Sequence, residues 1–483
     1  MSLKQKALKG VFWTVIQNWG ARLISTIVFL VLARLLGAKA FGLVAMASVA
    51  VSFMEIFLDQ GFAQAIVQRE EVEAEHLDTA FWLSFCISIL LVVITIISAS
   101  TIATIFKEPQ LTPILQVLSL GFLCRGLNSV QIALLQRQLK FKALAMRTVT
   151  GNFLGGIVGV VMALTGFGVW SLVVKLLVDS LVSVPLLWFS SEWRPGRQIS
   201  WSHFQELFSF GINITGISFL NFFNRRADDL LIGYFLGPVA LGYYSVAYRL
   251  LLLVIQVVTG VISQVALPTF SRLQAQPERI CSAFYQATKY TSLVSFPIFF
   301  GMAAVAPELV IGVFGEEWLP SIPVMRILAL MGVLQSISMF NSGVLVAMGK
   351  PDWQFKVYLL NAVVNVISFL LVVKWGIVAV AAAYTIRGYL FSPIPLMLIK
   401  KVINIQLRDY WKQYLVPLIG SFIMIGAILG IKHLLGGATT EVSTIVICTV
   451  LGIVSYGTVI ILVAPKLLQE MLGLIRATMP AKL

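Results

Sequence analysis

Leu36-Gly37-Ala38-Lys39-Ala40-Phe41-Gly42 comes back two hundred residues later as Leu236-Gly237-Pro238-Val239-Ala240-Leu241-Gly242, and five of the twelve positions across 36–47 and 236–247 are identical. The likeness continues in order along the chain. Glu75, Ala80, Phe81 and Trp82 meet Glu278, Ala283, Phe284 and Tyr285 at an offset of 203. Phe106 and Glu108 meet Phe314 and Glu316 at 208, Pro113, Leu118 and Leu120 meet Pro323, Leu328 and Leu330 at 210, and Phe141-Lys142 meets Phe355-Lys356 at 214. Single matches of this kind mean little. A colinear series with slowly growing offsets marks a duplicated chain.

Composition says what was duplicated. Of 483 residues, 59% are hydrophobic and 12% charged, with a mean hydropathy of +0.92. Soluble domains carry about 25% charged residues, so no solvated surface can be built here, which excludes a soluble enzyme, a disordered chain and a disulfide scaffold. A helical span needs about 20 mainly apolar residues. Fourteen such stretches are expected, near 10–36, 41–66, 77–102, 112–136, 143–165, 168–189, 205–235, 239–265, 282–305, 321–347, 356–374, 376–398, 413–432 and 441–464, with Gly37, Pro109, Gly166, Pro195, Pro238, Pro277, Pro320, Pro351 and Gly436-Gly437 as punctuation. Six spans precede the second copy, so both copies enter the membrane from the same side, a parallel repeat about an axis along the membrane normal. The expected fold is an all-α polytopic membrane protein: an N-lobe of helices 1–6 over 1–200, a C-lobe of helices 7–12 over 201–400, and helices 13–14 with a cytoplasmic tail over 401–483. Such a repeat suits alternating access, one lobe rocking against the other.

The basic residues orient it. One set of loops, with both termini, holds 20 Lys and Arg, and the other holds four, Lys39, Lys107, Lys374 and Lys432. By the positive-inside rule both termini are cytoplasmic. The same split accounts for most of the net charge of +14, so no nucleic-acid partner is called for. The outward loops are too short for an external catalytic domain, and no GxxxxGK[ST] phosphate loop is present. Cys86, Cys124, Cys281 and Cys448 lie in apolar stretches without metal spacing and read as small hydrophobes. His76, His203 and His433 read as loop residues on opposite sides of the membrane. Glu70, Glu71, Glu73, Glu75 and Asp78 read as a solvated cytoplasmic run. Gly151, Gly155, Gly156 and Gly159 give helix 5 close-packing faces, and Pro297 is expected to kink helix 9.

Asp228-Asp229-Leu230-Leu231-Ile232-Gly233-Tyr234-Phe235-Leu236-Gly237-Pro238-Val239-Ala240-Leu241-Gly242-Tyr243-Tyr244 resembles the D-x-x-I-G-x-x-x-G-x-x-x-x-G-x-Y stretch of polysaccharide flippases. So do Ala33-Arg34-Leu35-Leu36-Gly37 with Phe41-Gly42, and Asp59-Gln60-Gly61-Phe62-Ala63-Gln64-Ala65-Ile66-Val67-Gln68. Leu134-Leu135-Gln136-Arg137-Gln138-Leu139-Lys140-Phe141 is similar to the Wzx-type branch of colanic-acid and teichuronic-acid exporters. The resemblance runs along nearly the whole chain and places it in the multidrug/oligosaccharidyl-lipid/polysaccharide flippase superfamily. It implies transfer of an undecaprenyl-diphosphate-linked oligosaccharide from the inner to the outer leaflet of the bacterial inner membrane, no cofactor, and a polysaccharide polymerase or assembly machinery as partner beside membrane lipid. It also implies a lateral portal at helices 1 and 8, and a groove for the lipid tail at helices 13 and 14. A MATE-like drug/cation antiporter is the alternative on the same fold. A membrane glycosyltransferase or polymerase stands third, since it needs an external loop with paired acids.

The charges within the spans sharpen the choice: Arg22, Arg125, Arg147, Lys175, Arg225, Arg226, Arg249, Lys289, Arg326 and Arg387 against Glu55, Asp59, Asp179, Asp228 and Asp229. A charge at mid-bilayer costs about 2.5–3.5 kcal/mol on insertion scales and normally faces protein or water. Ten cations against five acids suit a diphosphate and speak against a pocket for cationic drugs. Arg22, Arg249 and Arg387 have no acid within one helical turn of sequence and are the leading cavity candidates, with Arg125, Lys175 and Arg225 behind them. Arg147, Lys289 and Arg326 lie near span ends and read as interfacial anchors. Lys175–Asp179 and Arg225–Asp229 are four apart on one face, either structural pairs or gates, with Arg226 and Asp228 on neighbouring faces; the motif leans Asp228 toward a structural role beside the portal. Glu55 and Asp59, also four apart, either share a proton through mutual repulsion, suiting H+ or Na+ coupling, or are each neutralised by a base such as Arg22.

Overall fold

The computed structural model describes residues 3–58, 66–67, 72–198, 200–436 and 439–465, with side chains described at 13, 17 and from 19 onward except at 201–214, 217 and 261–268. Eleven described helices are long and apolar enough to cross a membrane, twelve if the bent pair Pro277–Ala304 and Ala306–Phe314 is one span. Two of the eleven are double length: Trp19–Leu58 has 40 residues and Ser218–Gly260 has 43, each about 60 Å of helix against about 30 Å of hydrocarbon. Each is interrupted once, at Gly37 (φ 69°, ψ 174°) and at Gly237 (φ 83°, ψ −178°). A side chain at that φ is strained and glycine is not, so the chain doubles back at the repeated Leu-Gly.

Divided there, the spans among the described residues are fourteen, each overlapping one of the stretches the hydropathy pattern marks. They are α1 (3–36), α2 (38–58), α3 (Ala74–Ile105), α4 (Leu111–Arg137), α5 (Phe141–Leu164), α6 (Trp170–Ser190), α7 (201–236) and α8 (238–272). Then follow α9 (Pro277–Ala304, continued as Ala306–Phe314), α10 (Ser321–Ala347), α11 (Pro351–Val372), α12 (Ile377–Phe391, continued as Pro393–Ile403), α13 (Leu407–Leu435) and α14 (Glu441–Val463).

The chain forms two compact units, Met1–Gly242 and Tyr243–Leu483. In the first, α3 packs on α4, α5 on α6, α1 on α5 and α4 on α6. Lipid gives apolar faces no reason to leave it, so small residues that allow close approach hold such bundles together. The helix-5 glycines do this. Gly155 and Gly159 are buried against the backbone carbonyls of Lys175 and Ser171 on α6, while Gly156 abuts Val28 on α1. A tight cluster closes the end where α3 begins: Leu77, Ala80, Phe81, Val130, Ala133 and Leu134, with Trp82, Trp188 and Trp193 packed on it.

In the second unit α10 packs on α9 and α12, and α13 packs on α14 and α9. The kink expected at Pro297 falls elsewhere. The helix runs through that proline to Ala304 and bends by 71° before Ala306. Pro307 begins the continuation; it has no N–H for the Ala303 carbonyl, and the Lys432 ammonium takes the Ala304 carbonyl at 3.1 Å.

Two further expectations are corrected. His76 and Asp78 are buried in the first turns of α3 rather than loop residues. Lys432, assigned to an outer loop, lies in the last turn of α13 with its side chain turned into protein.

Candidate functional site

A polar hollow of about 500 Å³ lies inside the first unit, toward the end of the bundle where α2 and α4 finish and α3 and α5 begin. Glu55 reaches it from α2, Ser84 from α3, Arg125, Asn128, Ser129 and Gln136 from α4, Arg147 and Thr148 from α5, and Asp179, Ser180 and Ser183 from α6.

The local sequence explains why these groups meet. Arg147, Gly151, Gly155 and Gly159 recur every four residues along α5, as Ser171, Lys175, Asp179 and Ser183 do along α6. Ridges of that spacing interlock, and three glycines on one of them bring the backbones close enough for Asp179 to lie against Gly151. Next to this ridge the Asn128 Nδ2 donates to Ser183 Oγ at 2.8 Å. Asn128 Oδ1 is buried with no protein partner, an acceptor left for a bound molecule or water. Gln17 of α1 donates to Thr148 Oγ1 at 3.4 Å.

The electrostatics are balanced. Arg125 and Glu55 form an ion pair at 2.8 Å, and Lys175, Arg147 and Arg125 all act on Asp179. Two guanidinium groups and two carboxylates line the hollow, so it is an amphoteric, hydrogen-bonding chamber rather than a purely cationic one. Glu55 is one acid with a basic partner. Asp59, its expected neighbour, lies outside the described residues.

The remaining candidates are dispersed. Arg22 is half-buried on α1 with its guanidinium 5.9 Å from the Trp19 ring. Arg249 is exposed on α8. Arg387 of α12 is only 8% exposed, donates to Asn361 Oδ1 of α11 at 2.7 Å and lies 5.7 Å from the Tyr384 ring. Tyr384 in turn accepts from Gln335 Nε2 at 2.7 Å. On α7, Asp228 and Asp229 are buried, and the partner of Asp229 is Arg226 at 3.0 Å rather than Arg225, which is exposed. The three-residue spacing sets Arg226, the less exposed of the two arginines, beside Asp229. Among the described residues no three His, Cys, Asp or Glu side chains gather as a metal site.

Arg147 is the residue that span counting misplaced. It sits two turns inside α5 and reads as an interfacial anchor, yet it lines the hollow. The four-residue register it shares with the glycines is the signal that identifies it. Asn128, Thr148 and Asn361 carry no comparable mark.

A family model described as polysaccharide biosynthesis protein matches residues 31–323. The teichuronic acid biosynthesis protein TuaB of Bacillus subtilis (strain 168) is 27% identical over 444 residues, covering 89% of this chain and 91% of that one. The succinoglycan biosynthesis transport protein ExoT of Rhizobium meliloti (strain 1021) is 27% identical over 485 residues, covering 98% and 96%. Among solved structures, the lipid II flippase MurJ in an inward closed conformation matches the fold with a TM-score of 0.78 at 14% identity, over 95% of this chain and 100% of that one.

Proposed function

Because the chain belongs to the family of polysaccharide biosynthesis proteins, we propose that it is a flippase moving an undecaprenyl-diphosphate-linked oligosaccharide from the cytoplasmic to the outer leaflet of a bacterial inner membrane. It is a transporter and not an enzyme. The observation that carries the reading is the near end-to-end match to a protein named for succinoglycan transport, on a bundle whose span charges are mostly basic.

The sugar-diphosphate head crosses the membrane shielded from hydrocarbon while the polyprenyl tail stays in lipid. Arg22 on α1 and Arg249 on α8 each offer a guanidinium to the diphosphate. Guanidinium groups bind such oxygens in pairs, with short charge-assisted hydrogen bonds. Arg387, held by Asn361, is a further cation available to the diphosphate in the second unit. Both termini are cytoplasmic, which puts the Lys39 and Val239 corners on the outer face. Coupling to H+ or Na+ runs through the carboxylates Glu55, Asp179, Asp228 and Asp229; one charge crossing 100 mV supplies about 2.3 kcal/mol. A polysaccharide polymerase takes the product at the outer leaflet.

The test is leaflet exchange of a fluorescent undecaprenyl-diphosphate oligosaccharide in proteoliposomes, with and without proton or sodium gradients. Wild type exchanges the lipid, and Arg22→Ala and Arg249→Ala lose exchange while staying folded. A folded wild type that exchanges nothing under any gradient, but expels cationic drugs, overturns the proposal in favour of a drug/cation antiporter.

A further inference from the structure

The hollow of the first unit holds about 500 Å³, within the range of about 300–1,000 Å³ usual for small-molecule sites. Such sites are mostly apolar, and this one is not. Eleven of its fifteen lining residues carry a polar side chain, so an apolar occupant would leave buried groups without partners. Neither the diphosphate nor ion coupling accounts for its hydroxyls and its amide.

The hydrogens on the wall decide what it can hold. Ser129 Oγ donates to the Gly126 carbonyl at 3.1 Å, Thr148 Oγ1 to that of Leu144 at 3.0 Å, Ser180 Oγ to that of Leu176 at 3.1 Å and Ser183 Oγ to that of Ser180 at 2.7 Å. All four hydroxyl hydrogens are thus committed to carbonyls of their own helices, and what they keep for a ligand is oxygen lone pairs. Asn128 adds another acceptor, since its Nδ2 is committed to Ser183 and its Oδ1 is buried without a protein partner. The donors are guanidinium groups. Arg125 gives Glu55 one N–H at 2.8 Å out of the five a guanidinium carries, and Arg147 lies close enough to act on both Asp179 and Arg125.

A ligand for this wall must donate to its oxygens and accept from its guanidinium groups at the same time. A bare anion meets carboxylates and lone pairs. A metal ion meets two guanidinium groups. A polyol meets neither obstacle, because every hydroxyl has one hydrogen to give and two lone pairs to receive. Adjacent hydroxyls of one ring can accept from Arg125 or Arg147 and donate to Asp179, Asn128 or the serine oxygens.

We propose that the hollow is a glycan subsite, which takes a sugar ring of the lipid-linked oligosaccharide through its hydroxyl groups. The proposal deepens the flippase reading and rests on it. On that reading the hollow lies in the cytoplasmic half of the first unit, where the glycan is loaded, and it selects the sugar while arginines elsewhere hold the diphosphate.

Thiol protection tests it without transport. Ser180→Cys is placed in a chain whose four native cysteines are replaced, held in lipid nanodiscs so that no sugar-headed detergent competes. The probes are methyl glycosides of glucose, galactose, N-acetylglucosamine and glucuronic acid, with pyrophosphate and sodium chloride as controls. At least one glycoside is expected to slow modification by a water-soluble maleimide about threefold at twice its dissociation constant. Protection by no glycoside, or equal protection by pyrophosphate or sodium, overturns the subsite. A second measurement reads selectivity, comparing leaflet exchange of the undecaprenyl-diphosphate oligosaccharide with that of undecaprenyl diphosphate bearing no sugar. Asn128→Leu, which removes the unpartnered acceptor, is expected to lower the ratio of the two rates about tenfold. Ser180→Ala, which removes one wall oxygen and no bond between helices, should lower it less. A merely structural role slows both lipids alike, and an unchanged ratio overturns the subsite. If wild type exchanges neither lipid, the flippase reading fails while thiol protection still decides the hollow.

Discussion

Two ion pairs, one in each unit, have nearly the same length and opposite surroundings. Arg125 and Glu55 meet at 2.8 Å with side chains 59% and 26% exposed, on the wall of a polar hollow. Lys432 and Glu308 meet at 2.6 Å with 19% and 12% exposed, where α13 crosses the bend of α9. Water or a ligand can replace either partner of the first pair, so it can separate at little cost. Nothing stands ready to replace a partner of the second, so it holds the bend in place. The difference teaches that charge inside a span has two uses here: in the first unit it lines a space, and in the second it splices a helix.

The splice is where the contrast is easiest to break. Lys432→Met leaves Glu308 buried beside a bent helix whose Ala304 carbonyl has lost its donor. Losing one partner of a buried pair costs about 3–5 kcal/mol, read as a large fall in the thermal midpoint of the detergent-solubilised protein. Lys432→Met with Glu308→Leu should recover most of that loss, because replacing both partners by apolar groups removes the stranded charge. If Lys432→Met melts like wild type, the pair does not hold the bend.

Arg387→Leu is expected to be milder. It removes a buried hydrogen bond to Asn361 and the cation over Tyr384, about 1.5–3 kcal/mol for a bond to a charged group. The fall in thermal midpoint should be repeated by Asn361→Ala, and combining the two should add little, since they share one interaction. Additive losses would mean that Arg387 and Asn361 act through different partners.

The smallest effect on stability belongs to the open pair. Arg125→Gln should move the thermal midpoint by no more than about 1 kcal/mol equivalent, as exposed pairs do, while slowing leaflet exchange and altering its dependence on ion gradients. An equal loss of stability and exchange would make the pair a strut like Lys432–Glu308 and erase the distinction between the two units.

The fold was legible because the membrane makes it so. A stretch of twenty apolar residues has few places to go, and the glycine corners at Gly37 and Gly237 are visible as a repeat before any coordinate is known. The site was legible only in part. Residues such as Arg387 and Glu55 stand out because charge in a span is rare, but the pattern says nothing of their partners: Arg387 found Asn361, Glu55 found Arg125, and Asp229 took Arg226 in preference to Arg225. Arg147 lies so near a helix end that hydropathy treats it as an anchor. Asp78 looks like one of five surface acids and is buried.

By itself, then, the sequence determines that this is a fourteen-span duplicated bundle with mostly basic charges in its spans, because hydropathy, span length and repetition are local properties read along one dimension. Which charges meet and where α9 bends were decided only by tertiary structure. Those outcomes depend on how each helix is rotated about its axis and on how closely two backbones approach, and both are set by packing against neighbours distant in sequence.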